Sequence, residues 1–217
     1  MINNEKKQIL IESVKTEFDG FFKLCRLRFK HSLYKGNWSA PIEREVFCRG
    51  EAVVVLLYDS RRQQVVLVEQ CRPGAVLHRC ALPESKTNIG TAINHVIELD
   101  QAWLLEPVAG MIDAGETPEQ AGIREVQEEA GITVDTLEYI CQLYPSPGGC
   151  DEMLYLYAAD IDSSQLPKFA GLANHVEDIK VVTLSYGEAK QALREARFNV
   201  ATTFIALQWL FFQRESQ

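Results

Sequence analysis

A single stretch in the middle of the chain decides the fold: Gly110-Met111-Ile112-Asp113-Ala114-Gly115-Glu116-Thr117-Pro118-Glu119-Gln120-Ala121-Gly122-Ile123-Arg124-Glu125-Val126-Gln127-Glu128-Glu129-Ala130-Gly131-Ile132. Thr117 is a good helix N-cap, Pro118 suits the first helical position, and Gln120 can close a capping box. Gly131 is a stop signal, because glycine readily adopts the left-handed conformation that follows a helix. The stretch therefore predicts a helix that runs to about Ala130.

This helix carries an acidic face. Glu125, Glu128 and Glu129 are three and four residues apart, so their side chains project side by side. Two interpretations are open from the spacing alone. The carboxylates could form a solvated surface, or hard cations could neutralise them, since Mg²⁺ takes oxygen ligands and bridges to substrate phosphates.

The spacing of the fixed residues distinguishes these interpretations. The pattern is Gly110, Glu116 after five residues, Arg124-Glu125-Val126 after seven more, then Glu128-Glu129 and Gly131-Ile132. It resembles the Nudix box at every specified position. The resemblance implies a pyrophosphohydrolase that depends on Mg²⁺ or Mn²⁺. It also implies that Glu125 and Glu129 bind the metal directly, with Glu128 assisting catalysis and the Ala109 carbonyl as a further ligand.

The box also has a local physical logic. Gly110 and Gly115 let the backbone fold back over the start of the helix. Arg124 can pair with Glu128 four residues later and hold its carboxylate in place.

Strands and helices are predicted on both sides of the box. Glu51 to Tyr58 and Gln64 to Gln70 form a predicted hairpin of buried strands around the turn Asp59-Ser60-Arg61-Arg62. Further strands are predicted at Leu104 to Val108, Leu137 to Tyr144, Met153 to Ala159 and Ile179 to Leu184. A second capped helix begins after Ser185, with Glu188 as its box partner, and an apolar helix spans about Val200 to Phe212. The pattern predicts a mixed sheet with helices on its faces, α+β or α/β in class, and the resemblance specifies the α/β/α sandwich of the Nudix fold.

The first 48 residues differ in character from the rest. Phe21 to Phe29 mixes aromatic with alternating basic residues, and Tyr34-Lys35-Gly36-Asn37 is typical of a turn. We interpret residues 15 to 48 as an antiparallel ribbon. The predicted domain organisation is thus 1–48 as a ribbon for dimerisation or exchange and 49–217 as the hydrolase domain.

Resemblance outside the box points to the ADP-ribose pyrophosphatase branch of the family. It covers nearly the whole chain and rests on Gly20-Phe21-Phe22, Arg44 to Gly50, Val68 to Arg72, Trp103 to Glu106, Ala206 to Leu210, and Pro147 about fifteen residues past the box. It implies that Phe21 or Phe22 stacks on adenine, Arg44 and Glu45 contact the nucleotide, and Arg72 meets the pyrophosphate. The remaining substrate contacts that it implies are Met111, Ser146, Pro147, Gly148 and Glu152. It further implies a homodimer that exchanges the ribbon, so that one active site draws residues from both chains.

The simpler interpretation of each of these residues stays open at this point. Phe21 could be a core residue, Arg44 could be a surface charge that pairs with Glu45, and the loop around Pro147 could be a tight turn.

Two features depart from the family pattern. The family carries Glu-x-Glu-Asp-Ile in a late loop, whereas this chain has His175-Val176-Glu177-Asp178-Ile179. Glu177 keeps the metal-reaching carboxylate, and His175 stands where the base would be. Histidine can act as a general base near neutral pH, although Glu177 or a metal-bound hydroxide could do so instead. The second departure is a longer, irregular stretch from Pro73 to Ala102, which is a loop or a small insertion. It could cover the cleft, alter the substrate or extend the dimer contact, and a neutral surface insertion is an equal alternative.

Composition excludes several classes of function. The net charge of −8 argues against binding nucleic acid, which requires many Lys and Arg residues. No apolar run approaches the roughly 20 residues that span a bilayer, and the N-terminus lacks the apolar core of a signal peptide. The six cysteines form no Cys-x-x-Cys pair, as expected for reduced thiols in the cytoplasm.

Three functions remain as hypotheses. The first is hydrolysis of ADP-ribose, a small nucleoside diphosphate sugar, to AMP and ribose 5-phosphate. The second is hydrolysis of another nucleotide sugar such as GDP-mannose, which the longer connection after Arg72 would permit. The third is binding of ADP-ribose without turnover, suggested by the loss of the usual base.

Overall fold

The structure is a computed structural model that describes residues 7–79, 98–172 and 177–214. The chain divides into two compact units. The first contains the described residues up to Glu51 together with Leu143–Leu154, and the second contains Ala52–Gln142 and the residues from Tyr155 onward. The loop that carries Pro147 therefore belongs to the same unit as the N-terminal strands.

Three antiparallel strands make up most of the first unit. They are β1 (Ile9–Asp19), β2 (Lys23–His31) and β3 (Ile42–Cys48), paired in the order β1-β2-β3. The predicted antiparallel ribbon is confirmed, and it begins at Ile9 rather than near residue 15. The predicted turn at Tyr34 to Asn37 lies between β2 and β3, where the Gly36 N–H donates to the Leu33 carbonyl.

The second sheet has eight strands. They are β4 (Glu51–Asp59), β5 (Gln64–Cys71), β6 (Trp103–Glu106), β7 (Val108–Met111), β8 (Glu138–Leu143), β9 (Met153–Asp160), β10 (Phe169–Ala170) and β11 (Ile179–Ser185). The main order is β10-β11-β5-β4-β9-β8. Strands β4 and β5 form the predicted hairpin, paired from Asp59 and Gln64. Where these two strands diverge, β6 pairs with β5 and β7 pairs with β4.

Four α-helices accompany this sheet in the described residues. They are α1 (Pro73–Arg79), α2 (Pro118–Ala130), α3 (Tyr186–Arg194) and α4 (Ala201–Trp209), and α4 continues as a π-helical segment over Leu210–Arg214. Both predicted capping boxes are present, at Thr117 with Gln120 and at Ser185 with Glu188. Helix α2 ends as predicted at Gly131, which has a φ of 68°.

The stretch from Pro73 to Ala102 is not irregular throughout, so this part of the sequence-based prediction is wrong at both ends. Residues Pro73–Arg79 form α1, and Asp100–Ala102 form a 3₁₀ turn. Helix α1 has seven residues and buries none of them, which explains why the sequence shows no apolar period there. Residues 80–97 of the predicted insertion lie outside the described residues.

Alternation along the central strands produces two cores, one on each face of the sheet. Leu56, Tyr58, Val65 and Leu67 pack with residues of α3 and α4. Val55, Leu57, Val66 and Val68 point to the opposite face, where they pack with residues of α2. Helices thus cover both faces, and the predicted α/β/α sandwich with an N-terminal antiparallel ribbon is confirmed.

Within the described ranges, no helix combines the length and the apolar character needed to cross a membrane.

Helix α2 lies so close to the sheet that one of its positions must be glycine. A Cβ at Gly122 would stand 2.6 Å from Cδ1 of Leu137 and 3.1 Å from Cγ2 of Val55. The same atom at Gly187 in α3 would meet nothing closer than 3.9 Å. A glycine-to-alanine substitution should therefore have opposite effects on stability in α2 and α3.

We expect Gly122→Ala to lower the free energy of unfolding by about 1–3 kcal/mol, because overpacking a tight contact outweighs the gain in helix propensity. Gly187→Ala should instead leave stability unchanged or raise it by about 0.4–1 kcal/mol. Chemical denaturation of both variants and the parent measures this. Equal stabilisation by the two substitutions would show that α2 is not packed as described.

Candidate active site

The acidic face of α2 is turned partly toward the sheet. Ala121, Val126 and Ala130 belong to the apolar core between helix and sheet. Their positions on the helix carry Glu125 and Glu129 inward, so these residues are only 8% and 5% exposed. The interpretation of the face as ordinary solvated surface is therefore wrong for these two carboxylates. Burying charge in this way is costly unless it is compensated.

Glu129 is the more deeply buried of the two and is held by neutral donors. Its Oε2 accepts a hydrogen bond of 2.9 Å from the backbone N–H of Ala109, and its Oε1 accepts one of 3.2 Å from the side-chain amide of Gln70. Burial raises the pKa of Glu129 to about 7, although these two hydrogen bonds and the charge of Arg72 oppose the shift. A positive charge placed nearby would favour the ionised form of this carboxyl group.

Glu125 occupies the space beside the backbone of β7. A Cβ built on Gly110 would overlap the carboxylate group of Glu125, so any larger residue at 110 would displace it. Burial raises the pKa of Glu125, and the charges of Glu128 and Glu177 push in the same direction. The glycine of the box thus has a specific function here, which is to leave room for a carboxylate.

Arg124 joins three acidic residues of the box, Glu116, Glu125 and Glu128. Its guanidinium donates to Glu116 at 2.9 and 3.0 Å, to Glu125 at 2.6 Å and to the Met111 carbonyl at 3.0 Å. The predicted pair with Glu128 is present but longer, at 3.4 Å. The hydrogen bonds from Arg124 lower the pKa of Glu116, and those acidic neighbours raise the pKa of Arg124.

Glu177 lies in the late loop, two residues before β11 begins. Its Oε2 accepts a hydrogen bond of 3.1 Å from the Leu172 N–H. Its charge is one cause of the raised pKa of Glu125. His175, the candidate base, lies outside the described residues, and its role stays a prediction.

Together these groups form a cluster that is chemically suited to a hard cation. Glu125, Glu128, Glu129 and Glu177 offer carboxylate oxygens, the ligand type that Mg²⁺ and Mn²⁺ prefer. As the side chains stand, no group of three His, Cys, Asp or Glu residues among the described residues is arranged to hold a metal. Arg124 instead takes up the oxygens of Glu116, Glu125 and Glu128. The donors fit the cation, and a small rearrangement away from Arg124 would be needed to bind it.

Arg72 and Met111, predicted substrate contacts, lie in the same unit as the carboxylates. Arg72 follows β5 directly, and its Nε is 2.6 Å from Oε2 of Glu106 on β6. About a third of the Arg72 side chain is exposed, so the guanidinium is both anchored and accessible. Met111 is partly exposed at the end of β7.

The predicted adenine platform lies in the first unit. Phe21 is 86% exposed, which contradicts the alternative that it is a core residue. Phe22 packs edge-on against both Phe21 and Phe47, with ring centroids 4.7 and 5.2 Å apart. The guanidinium of Arg49 lies over the Phe22 ring, 4.8 Å from its centroid. Phe21 is thus the ring that is open to a base, and Phe22 supports it.

The other predicted substrate contacts also lie in the first unit. Arg44 donates to the Glu43 carbonyl, and Glu45 is 3.4 Å from Arg26, so Arg44 and Glu45 do not form the alternative surface pair with each other. Ser146, Pro147 and Gly148 form an exposed turn in which the Ser146 carbonyl accepts hydrogen bonds from the N–H groups of Gly149 and Cys150. Glu152 is largely buried and lies 3.3 Å from Nε of Arg49.

Three residues with site contacts were not singled out from the sequence. Arg49 touches both Phe22 and Glu152, Gln70 touches Glu129, and Glu106 touches Arg72. The sequence around Gln70 and Glu106 did indicate a special position. Gln70 and Glu106 are buried polar residues in otherwise apolar strands, and such residues are retained only where they find a partner.

Known proteins resemble this chain over most of its length. Residues 49–202 match the NUDIX domain family. The chain is 38% identical to the ADP-ribose pyrophosphatase of Haemophilus influenzae over 94% of its own length and 87% of that protein. It is 37% identical to the enzyme of the same name from Escherichia coli, over 94% and 88%, and 30% identical to the GDP-mannose pyrophosphatase of Yersinia pestis, over 93% and 91%.

A solved structure shows the same fold. It is described as an ADP compounds hydrolase, superposes with a TM-score of 0.61 and covers 94% of each chain at 19% identity. The chain belongs to the Nudix hydrolase family. The resemblance inferred from the box, and that to the ADP-ribose pyrophosphatase branch, are both confirmed.

The overlap at Gly110 leads to a prediction that separates function from stability. We expect Gly110→Ala to reduce pyrophosphate hydrolysis at least about tenfold, because the new methyl group pushes the Glu125 carboxylate aside. The free energy of unfolding should change by less than about 1 kcal/mol, since the displaced group is the end of a flexible side chain. Parallel rate and denaturation measurements test this, with Gly187→Ala as the control. A variant that hydrolyses at the parental rate would show that Glu125 does not act from this position.

Proposed function

We propose that this protein hydrolyses ADP-ribose to AMP and ribose 5-phosphate with the help of Mg²⁺ or Mn²⁺. The observation that carries the proposal is the pair of buried carboxylates, Glu125 and Glu129, held against the backbone of β7. Such a pair is unfavourable by itself and becomes favourable when a divalent cation binds. ADP-ribose is the proposed substrate because relatives that match most of the chain are ADP-ribose pyrophosphatases.

The proposed reaction adds water across the pyrophosphate. The water oxygen forms a bond to one phosphorus, the bond from that phosphorus to the bridging oxygen breaks, and the water gives up a proton. When bound, the cation would stabilise negative charge on the phosphoryl oxygens. Glu125 and Glu129 are the proposed ligands, together with Glu128, Glu177 and the Ala109 carbonyl.

The protein itself would bind and orient the substrate. Arg72 is held by Glu106 with about a third of its side chain exposed, which suits it to pair with a pyrophosphate oxygen. Phe21 offers an exposed ring for stacking on adenine. The proposed contacts from Arg44, Glu45, Met111, Ser146, Pro147, Gly148 and Glu152 would surround the nucleotide and the terminal ribose. Glu177 or His175 would take the proton from water.

A panel of compounds tests the proposed substrate. Incubation with Mg²⁺ and ADP-ribose should yield AMP and ribose 5-phosphate, with kcat/KM at least about tenfold above that for GDP-mannose, NADH or diadenosine compounds. The variant Glu125→Gln serves as the control, since it keeps the size of the side chain and removes its charge.

Each other outcome supports a different hypothesis. Preferred release of GMP and mannose 1-phosphate would favour the function named for the Yersinia pestis relative. Binding of ADP-ribose with no product from any compound would favour a binding protein without turnover.

We further propose that the protein acts as a homodimer formed through the ribbon. Every residue of β1 is exposed, and β1 pairs only with β2 in the described structure. Ile9, Ile11, Val14 and Phe18 are 61–67% exposed, which is unusual for a long strand at the edge of a sheet. A second copy of this chain is the partner that would cover them, as the resemblance implies.

The exposed strand makes the dimer testable. Val14→Asp should convert a dimer to a monomer in size-exclusion chromatography with light scattering, because a desolvated charge opposes association. Phe212→Asp places the same charge on an exposed apolar residue outside the ribbon and should leave the dimer intact. A parent protein that is monomeric at micromolar concentration would contradict the proposal.

The proposed setting is the cytoplasm. The five cysteines within the described ranges, Cys25, Cys48, Cys71, Cys141 and Cys150, carry free thiols, which suits a reducing compartment. The net charge of −8 supports a small-molecule substrate over nucleic acid.

A further inference from the structure

Strand β5 changes from apolar to polar side chains near its C-terminal end. Its residues from Val65 to Val68 are fully buried and apolar, and Val66 and Val68 face α2. Side chains on a strand alternate with a period of two, so Gln70 continues the face of Val66 and Val68. Gln70 is only 9% exposed. A buried amide at this position needs a hydrogen-bond partner. The alternation of side chains points Gln70 toward the acidic residues of α2.

The partner is Glu129. The amide nitrogen of Gln70 lies 3.2 Å from Oε1 of Glu129, and the Ala109 N–H lies 2.9 Å from Oε2. The amide must present its NH₂ group, because its oxygen would be repelled by the carboxylate. Each oxygen of Glu129 therefore receives one hydrogen bond from a different strand, and the plane of the carboxylate is fixed from both sides.

We propose that Gln70 is a positioning residue that orients the Glu129 carboxylate toward the divalent cation. This inference rests on the proposed function. A carboxylate oxygen that accepts one hydrogen bond keeps a second lone pair, so Gln70 and Ala109 fix the group and leave it able to bind a metal. Partners of this kind hold metal ligands in orientation, and their loss typically weakens metal binding roughly 10- to 100-fold.

The neutrality of Gln70 matters as much as its reach. Arg72 follows Gln70 by two residues, just past the end of β5, and its charge already acts on Glu129. That guanidinium is occupied by Glu106 at 2.6 Å and stays partly exposed. A neutral amide can hold Glu129 without competing for its negative charge, which remains available to a cation. A lysine or arginine at position 70 would instead neutralise the ligand.

The alternative is that Gln70 merely satisfies a buried polar group and contributes only to stability. The two roles differ in what they change. A structural residue affects the unfolding temperature, whereas a positioning residue affects the affinity for metal in the folded, substrate-free protein. Metal binding must therefore be measured directly and not only through the reaction rate.

The test compares two variants of Gln70 with a matched control. Gln70→Met removes the donor at nearly constant volume, and Gln70→Asn keeps the amide but shortens it so that it no longer reaches Glu129. Gln127→Met makes the same substitution on the exposed side of α2. Mn²⁺ binding to the substrate-free full-length protein is followed by electron paramagnetic resonance, together with the unfolding temperature, kcat and KM at varied Mg²⁺.

We expect both Gln70 variants to bind Mn²⁺ roughly 10- to 100-fold more weakly than the parent, with Gln127→Met unchanged. The Mg²⁺ concentration for half-maximal activity should rise by a similar factor, while KM for the substrate at saturating Mg²⁺ stays within about twofold.

Parental Mn²⁺ affinity in a folded Gln70 variant would overturn the inference, and Gln70→Asn decides the question should Gln70→Met fail to fold. A parent protein that binds no Mn²⁺ and hydrolyses no substrate would instead overturn the proposed function, so the two failures are distinguishable.

Discussion

The structure depends on the burial of two carboxylates between a helix and a sheet. Glu125 and Glu129 project from the same helix that supplies Val126 and Ala130 to the core, so apolar packing forces these acids out of water. Much of the surrounding architecture compensates for that burial. A backbone N–H and a glutamine hold one carboxylate, and a glycine and an arginine accommodate the other. The site is therefore a consequence of how the helix packs.

Arg124 both compensates the buried negative charge and competes with a cation for the carboxylates. It supplies the positive charge that the acidic residues need, and it binds Glu116 more closely than it binds Glu128. The loop before the helix is thereby tied to the middle of the helix. An arginine that neutralises carboxylates also occupies the oxygens that a cation would use. A cation would have to compete with the guanidinium for Glu125 and Glu128, while Glu129, held only by neutral donors, would be free to receive it.

Much of this arrangement could be predicted from the sequence, and the reasons are local. Thr117, Pro118, Gln120 and Gly131 define the ends of the helix through backbone hydrogen bonding, which a short motif encodes completely. The contacts of Gln70 and Glu106 could not be derived in the same way, because they join residues 59 and 34 positions apart in the chain. Helix α1 was missed for another reason. It buries no side chain, so it leaves no apolar period in the sequence.

Side chains on the two faces of β5 are subject to different constraints on substitution. Val66, Val68 and Gln70 face the acidic helix, while Val65 and Leu67 face the layer formed by α3 and α4. Mutations on the second face meet only hydrophobic neighbours and can drift as long as volume and apolarity are kept. Descendants of one ancestor could therefore exchange most residues of that layer while the opposite face stays nearly fixed.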